Sequence, residues 1–302
     1  MGACKCNVGL GNTGIPGCVP IQSVTSSLIM VPIKANDGTY NRIDLASLPV
    51  WANLVNEVDE SKRWFPLPEF QNVEQPKADS QFEEAASGKQ AFLRQGKRSF
   101  TGELWEGDSS PQFLGKLTKA RCVKFGIYVV DVDGNLIGSD KGDGFLYPIP
   151  VDNASWDPKW APTTDATVQK IMLAFDWDRL FDESTLAMIL ADEAGQNFTE
   201  LEGLIDVLFT AIVFAPVLTG FTAKFCYGTA INKLPYGGAT LPADWLIFNN
   251  TTALPVTVDS VTEAPAGSGN YVLDHAIGIL AGNSYTVSVT KAGFSGSFTG
   301  IA

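Results

Sequence analysis

Segments in which apolar and polar residues alternate run through the centre of the chain, and they constrain its fold more than any other feature. In residues 98–105, Phe100 and Leu104 fall on one face while polar residues fall on the other. Residues 168–177 show the same alternation. Successive side chains of a β-strand point to opposite faces, so a period of two indicates a half-buried strand. These segments predict a sheet with one covered face.

A tight turn between two apolar segments indicates antiparallel pairing. Residues 122–132 are followed by Asp-Gly-Asn at 133–135 and then by Leu136 and Ile137. Asp-Gly between apolar segments is a strong hairpin signal. An apolar run at 28–33, closed by the turn residues 36–38, predicts a first strand.

A helix is predicted over residues 185–194. Asp182-Glu183-Ser184 provide a start signal, and Gly195 provides a stop signal. Further strands are predicted at 204–215 and 220–227. Antiparallel strands with one inserted helix differ from the regular strand–helix alternation of a parallel sheet. The fold class predicted from these patterns is therefore mainly β, a run of antiparallel strands with one inserted helix.

The length of 302 residues and a change of composition near Leu234 predict two β domains. After Leu234 charged residues become rare, and short strands are predicted at 245–248, 256–258, 271–273 and 285–289. Short strands at regular spacing are typical of a small immunoglobulin-like β-sandwich. The predicted organisation is an extended N-terminal arm at 1–27, a β domain at 28–233 and this sandwich at 234–302.

Two segments of low regularity are predicted, one a loop within the β domain and the other a connection between the β domain and the sandwich. Residues 57–84 are acidic and contain three prolines, which predicts a long exposed loop that orders on assembly. Residues 235–242 begin and end with proline and contain two glycines, which predicts a domain boundary. The sandwich beyond this boundary is expected to be dispensable for assembly.

The formal net charge of −12 argues against a protein that wraps nucleic acid, because phosphates are neutralised by Lys and Arg. It is compatible with a wall along which DNA passes without adhering. A region biased towards basic residues follows the acidic segment 57–84, and we interpret it as a face that meets that segment in a neighbouring copy. Its residues are Lys89, Arg94, Lys97, Arg98, Lys116, Lys119, Arg121 and Lys124.

Signals for secretion and membrane insertion are weak. The N-terminus lacks the charged flank and apolar core of a signal peptide. The longest apolar stretch, 204–218, contains Asp206 and Pro216 and is too short to span a bilayer. An odd count of five cysteines fits reduced thiols better than a disulfide framework. The sequence thus predicts a soluble protein made in a cytosol.

Short motifs for cofactors and metals lack their structural context. Residues 9–14 match a dinucleotide fingerprint, but no strand precedes them and residues 15–17 cannot open a helix. Cys4, Cys6 and Cys18 lack a fourth zinc ligand nearby. The aspartates at 131–143 do not follow the EF-hand order and are explained by turns. No cofactor or metal site is predicted.

Catalytic signals are equally sparse. The only histidine, His275, is predicted at the surface or at a strand edge, and no nucleophile elbow accompanies it. Seven tryptophans and a predicted β-sandwich keep a glycan-active enzyme with two catalytic carboxylates as an alternative. No particular pair stands out, so the sequence predicts no catalytic residues and a protein that is not an enzyme.

The order of elements resembles that of the tail-tube proteins of tailed bacteriophages. The resemblance rests on the apolar strand near residue 28, a long loop, the segment Gly-Lys-Arg-Ser-Phe-Thr-Gly-Glu-Leu at 96–104, and the predicted helix followed by strands to Tyr227. It covers residues 28–302 in the order of elements, without a short diagnostic motif. Several members of that family carry an outer immunoglobulin-like domain, which residues 234–302 would match.

The resemblance implies an antiparallel β-sandwich or barrel of tail-tube type with one flanking helix. It also implies a structural virion protein that forms sixfold rings, stacked into the tube through which the genome is ejected. Implied partners are other copies, the tape-measure and terminator proteins of the tail, and DNA that passes without specific binding. The sandwich at 234–302 would make weak contacts with a host surface. The implied location is the virion tail, after synthesis in the host cytoplasm. Alternatives are another ring or decoration protein of the virion (tail hub, terminator, head–tail adaptor or capsid decoration) and the glycan-active enzyme.

Overall fold

The computed structural model describes residues 21–57, 59–214, 220–228, 233–275, 279–291 and 293–302. The prediction of a mainly β fold is confirmed: the sheets are antiparallel apart from one parallel strand pair, and one curls into a half-barrel. Within the described ranges, no helix is both long and apolar enough to cross a membrane. Buried side chains form three clusters, two in an N-terminal unit and one in a C-terminal unit.

The N-terminal unit contains most of the strands and three short α-helices. Its strands are β1 (Thr25–Pro32), β2 (Ile43–Asp44), β3 (Phe65–Pro66), β4 (Gln71–Glu74), β5 (Gln81–Glu84), β6 (Gln90–Arg94), β7 (Ser99–Trp105), β8 (Phe125–Asp131), β9 (Leu136–Asp140), β10 (Phe145–Tyr147), β11 (Ile149–Pro150), β12 (Asp157–Ala161), β13 (Lys170–Asp176) and β14 (Leu186–Ile189). Its α-helices are α1 (Trp51–Val55), α2 (Pro111–Ala120) and α3 (Ala191–Ala194).

An eight-stranded sheet forms the centre of this unit, with the order β2-β10-β9-β8-β1-β3, β11 beside β8 and β14 beside β9. Strands β1 and β8 are buried along their whole length. Leu28 and Met30 face one hydrophobic cluster, while Ile29 and Val31 face the other. A strand covered on both faces needs apolar residues in succession. This explains the continuous apolar run that predicted the first strand.

A four-stranded sheet, β12-β13-β7-β4, packs against one face of the central sheet. The alternation predicted in residues 98–105 and 168–177 is confirmed, because β7 and β13 bury alternate side chains. Phe100 and Phe175 are cross-strand partners whose rings stack at 4.9 Å. The opposite face of this sheet carries polar and charged residues and is called the outer face below.

The prediction of a helix over residues 185–194 was wrong. Leu186–Ile189 form β14, which pairs with β9, and only Ala191–Ala194 are α-helical before Gly195 ends the turn with a φ of 61°. Pairing with the central sheet supplies backbone hydrogen bonds that outweigh the local helix signals. The longest helix is instead α2. It begins after Ser110, whose side chain accepts a hydrogen bond from the Phe113 backbone N–H.

The prediction of a long exposed loop over residues 57–84 was also wrong for the first part of this segment. Trp64, Leu67 and Phe70 are buried in the two cores, and β3 and β4 pair with β1 and β7. The prolines lie at positions compatible with short edge strands and connections. Only the later part of the segment, from Lys77 onwards, leaves the body of the protein.

The C-terminal unit is a β-sandwich of ten strands in the described residues. They are β15 (Ile205–Asp206), β16 (Leu208–Val213), β17 (Gly220–Gly228), β18 (Lys233–Pro235), β19 (Trp245–Asn249), β20 (Leu254–Val256), β21 (Val258–Glu263), β22 (Asn270–His275), β23 (Ser284–Lys291) and β24 (Phe294–Ile301). One sheet has the order β15-β24-β23-β19-β20, and the other has the order β16-β17-β22-β21 with β18 beside β17.

The predicted domain boundary at 233/234 was wrong. Strands β16 and β17 form one sheet with β22, so the C-terminal unit begins at residue 205. Leu204 still packs on a core of the N-terminal unit, whereas Val207 lies in the core of the C-terminal unit. Tyr236 and Ala239 are buried in that same core. Residues 235–242 are therefore part of the sandwich and not a linker between domains.

Candidate assembly surface

A two-stranded hairpin projects from the four-stranded sheet. Strand β4 pairs with β7 in the sheet, and the pairing continues outward through a bridge between Lys77 and Arg98 and a 2.8 Å bond from the Ala78 N–H to the Lys97 carbonyl. Beyond this point β5 and β6 pair only with each other in the described part of the chain. Residues 77–98 are called the projecting hairpin below.

The outer part of the projecting hairpin, residues 79–96, is called its tip below. It carries exposed apolar side chains. Phe82, Phe92 and Leu93 are 56%, 61% and 57% exposed. The two phenylalanine rings contact each other edge-on at 5.7 Å. An isolated two-stranded hairpin is marginally stable in water, and clustered exposed apolar groups mark interaction surfaces. The tip therefore has the properties of a segment that docks on another protein.

The base of the projecting hairpin is held by ion pairs. Glu183 accepts a 2.8 Å bond from the Arg98 guanidinium and lies 3.2 Å from the Lys77 ammonium. The Arg98 guanidinium also lies over the Trp177 ring at 5.2 Å. Burial raises the pKa of Glu183, but the hydrogen bonds from Arg98 and Lys77 outweigh it, so the pKa lies below its usual value. The hairpin thus leaves the body in a defined direction.

Substituting Glu183→Gln should destabilise the protein at neutral pH by about 1–2 kcal/mol, because two partly buried cations lose their carboxylate. A carboxylate with a lowered folded-state pKa stabilises the fold above its unfolded pKa, and this stabilisation is lost as the pH falls through the folded pKa. Urea unfolding at several pH values should therefore show the difference at pH 7 and its disappearance in acid. The exposed Glu84→Gln serves as control. A difference that persists unchanged into strong acid would contradict this role.

Several residues of the basic-biased region form ion pairs within their own chain, whereas the sequence predicted contacts with a neighbouring copy. Four of its members pair with carboxylates of the same chain: Lys97 with Asp176, Arg98 with Glu183, Lys116 with Asp206, and Arg121 with Asp157. Arg94 donates to the Gln81 side chain within the projecting hairpin. We therefore restrict the proposed contact with the acidic segment of another copy to the cations that have no such partner among the described residues, among them Lys89 at the hairpin tip.

The outer face of the four-stranded sheet carries a charged cluster centred on Glu103. Its carboxylate accepts bonds from Lys170 at 2.5 Å, from Trp105 at 2.9 Å and from Asn72 at 2.9 Å. Burial raises the pKa of Glu103, and these donors lower it by more, so the group stays ionised over a wide pH range. The cations on this face are thus partly neutralised by neighbours.

Strand β12 ends this sheet on one side. It pairs with β13, and Trp160 on it is 40% exposed. The terminal strand of a sheet presents backbone N–H and C=O groups that can pair with another chain. The edge formed by Asp157–Ala161 is accordingly a second surface available for assembly.

The structure explains the aspartates at 131–143 as turn residues, which confirms that prediction. Asp131 is fully buried and accepts bonds from the backbone N–H groups of Asp133 and Asn135 and from the Asn135 side chain. Asp140 accepts from the Gly142 N–H in the next turn. Within the described residues, no group of three or more His, Cys, Asp or Glu side chains is arranged to hold a metal ion.

His275 is 2% exposed, so its prediction as a surface or strand-edge residue was wrong. It lies in β22 between two other strands of its sheet. Tyr271, Leu273 and His275 share the buried face of β22, and this period of two was the signal that could have placed the histidine inside.

The N-terminal motifs, residues 9–14 with Cys4, Cys6 and Cys18, lie outside the described residues. The sequence singled out neither the projecting hairpin nor the β12 edge. Residues 81–84 and 90–94 contain no β-branched residue and only one aromatic residue each, so the Gly-containing turn between them was the one available hairpin signal.

Comparisons with protein-family models, curated proteins and solved structures find no match to this chain.

Proposed function

We propose that this chain is a structural protein that assembles with copies of itself, as a ring-forming subunit of a tube of the phage-tail type. The projecting hairpin carries this proposal. Its base is fixed by Arg98 and Glu183, while Phe82, Phe92 and Leu93 at its tip are exposed to solvent. Apolar side chains on a projecting hairpin are costly in an isolated protein and are stabilised when a partner covers them.

The sheet edges support lateral assembly into rings. Strand β12 ends the four-stranded sheet, and a curled half-barrel is already present in the chain. Ring closure would pair this edge with the sheet of the next subunit, which removes an aggregation liability and supplies hydrogen bonds. The projecting hairpin would then connect successive rings along the tube.

We propose that the outer face of the four-stranded sheet, which points away from the core of its own chain, lines the channel of the tube. Lys170 is paired with Glu103, and Lys97 is paired with Asp176. Cations that already have carboxylate partners attract phosphate weakly, and the net charge of −12 adds repulsion. DNA could therefore pass along this wall without being captured.

The remaining partners follow from this assignment. The C-terminal sandwich, residues 205–302, would lie outside the channel and make weak contacts multiplied by many copies along the tube. The ends of the tube would meet tape-measure and terminator proteins in the virion tail. A hub, terminator or adaptor ring would use the same surfaces. The length of the assembly separates these roles, because a tail-tube subunit forms a long tube and the other proteins form a single ring.

Removing the tip of the projecting hairpin should abolish stacking. Because the Ala78 N–H donates to the Lys97 carbonyl, residues 79–96 can be replaced by Asn-Gly without disturbing the base. The wild-type protein should form tubes or stacked rings in negative-stain electron microscopy, whereas the shortened variant should stay folded by circular dichroism and form at most single rings. Ser87→Ala, at the exposed turn, is the matched control. Normal tubes from the shortened variant would contradict the proposal, and a monomer with glycan-hydrolysing activity would favour the enzyme.

A further inference from the structure

An open cleft of about 430 Å³ lies on the N-terminal unit, beside strands β9, β10 and β11. Tyr40 and Tyr147 line it, with ring centroids 6.3 Å apart and the rings edge-on. Leu180, which is 83% exposed, and Phe181 are also among its lining residues. This cleft is called the tyrosine cleft below.

Charged groups of both signs lie in and beside the tyrosine cleft. The ammonium groups of Lys34 and Lys141 lie 4.5 and 4.4 Å from the Tyr40 and Tyr147 ring centroids. Asp178 and Asp182 are among the residues that line the cleft. Among the residues that the structure describes, these four charged side chains form no ion pair with each other or with a neighbour.

The tip of the projecting hairpin has the complementary arrangement. Glu83 and Glu84 follow Phe82 on β5, whereas Lys89 lies at the start of the other side, just before β6. All of these side chains are exposed. The tip thus presents an apolar centre with acids on one strand and a base on the other, and these charges can pair with the lysines and the aspartates at the cleft.

We propose that the tip of the projecting hairpin of one copy inserts into the tyrosine cleft of a second copy. This inference rests on the proposed self-assembly and adds the receptor for the hairpin. Phe82 and Phe92 would fill the space between Tyr147 and Leu180, with β5 towards Lys34 and Lys141. From the base bridge to the turn the hairpin extends about 26 Å, eight residues at about 3.3 Å each, which is enough to reach a neighbouring subunit.

The cations on the tyrosine rings favour this occupant over a glycan. Sugars stack on open aromatic faces, whereas here ammonium groups lie over both rings. An apolar segment that carries carboxylates can contact the rings and pair with both ammonium groups. In its own chain the hairpin tip is exposed, so its contacts have to come from another molecule.

Charge reversal of both partners tests the contact. Lys34→Glu with Lys141→Glu should raise the protein concentration needed for assembly about tenfold or more, and so should Glu83→Lys with Glu84→Lys, because like charges then face each other. Combining all four changes in one chain should return that concentration to within about threefold of wild type. Lys119→Glu, on the exposed side of α2, is the matched control and should change little. Sedimentation measures assembly, and circular dichroism verifies folding.

The outcomes separate this inference from the proposed function. If the wild-type protein assembles and the hairpin variant does not, while the cleft variant assembles normally, the receptor is elsewhere and this inference is overturned. This inference is also overturned if both charge-reversed variants fail to assemble and the variant that combines all four changes fails to assemble as well. If the wild-type protein stays monomeric at every concentration, the proposed function is overturned, and this inference with it.

Discussion

A chain that ends at Leu204 is expected to fold, whereas a chain that ends at Tyr236 is expected to aggregate. Up to Leu204 both hydrophobic cores of the N-terminal unit are complete. A chain ending at Tyr236 would retain β16 and β17 without β22, their partner in the sheet. Val207 and Tyr236 would then lose the core that covers them. An unpaired sheet edge beside uncovered apolar side chains is an aggregation hazard.

Expression of the two shortened chains, with circular dichroism and gel filtration, measures this difference. The shorter chain should be folded with a cooperative thermal transition, and the longer one should be insoluble or form large aggregates. Loss of the ion pair between Lys116 and Asp206 should matter little, because both side chains are largely exposed. If the chain ending at Tyr236 were as well folded as the full chain, the assignment of β16 and β17 to the C-terminal sandwich would be wrong.

Replacing Trp156 by alanine is expected to cost about 3–5 kcal/mol, which for a unit of this size corresponds to a fall of roughly 6–20 °C in its melting temperature. Trp156 is fully buried, and its ring packs against Phe125 and Phe175. Its indole N–H donates a 2.7 Å bond to the Leu117 carbonyl of α2. The substitution opens a cavity and leaves α2 without this anchor.

Trp160→Ala is the matched control, since this tryptophan lies four residues further along and is 40% exposed. It should cost no more than about 1 kcal/mol, as is usual for surface substitutions. Differential scanning calorimetry should show the transition of the N-terminal unit shifted in Trp156→Ala and that of the C-terminal sandwich unchanged. Equal losses in both tryptophan variants would show that the core does not depend on Trp156 in this way.

Together, the projecting hairpin and the tyrosine cleft describe how identical chains could recognise each other. The hairpin is rigid at its base and exposed at its tip, and the cleft offers both apolar surface and unpaired charge. A contact of this kind joins a protruding element of one copy to a different, concave site on another copy, so it is heterologous and can propagate in one direction. Stacked rings require this kind of contact.

The sequence by itself determined the elements whose residues carry a strong local pattern. The alternation in residues 98–105 and 168–177 sufficed to place β7 and β13 and their buried faces. Asp-Gly-Asn at 133–135 sufficed to predict the hairpin between β8 and β9, because few backbone conformations other than a tight turn suit that combination. These signals act within a few residues, so no knowledge of the rest of the fold was needed.

Only the tertiary structure decided where each strand finds its partner. Residues 186–189 carry helix signals but pair with β9. Strands β16 and β17 precede the change in composition but lie in one sheet with β22. The hairpin at 77–98 and the tyrosine cleft likewise depend on which strands lie at the end of a sheet and which loops meet across it. Pairing between residues far apart in sequence contributes free energy that a local pattern does not record, and that free energy set the unit boundary and the positions of the hairpin and the cleft.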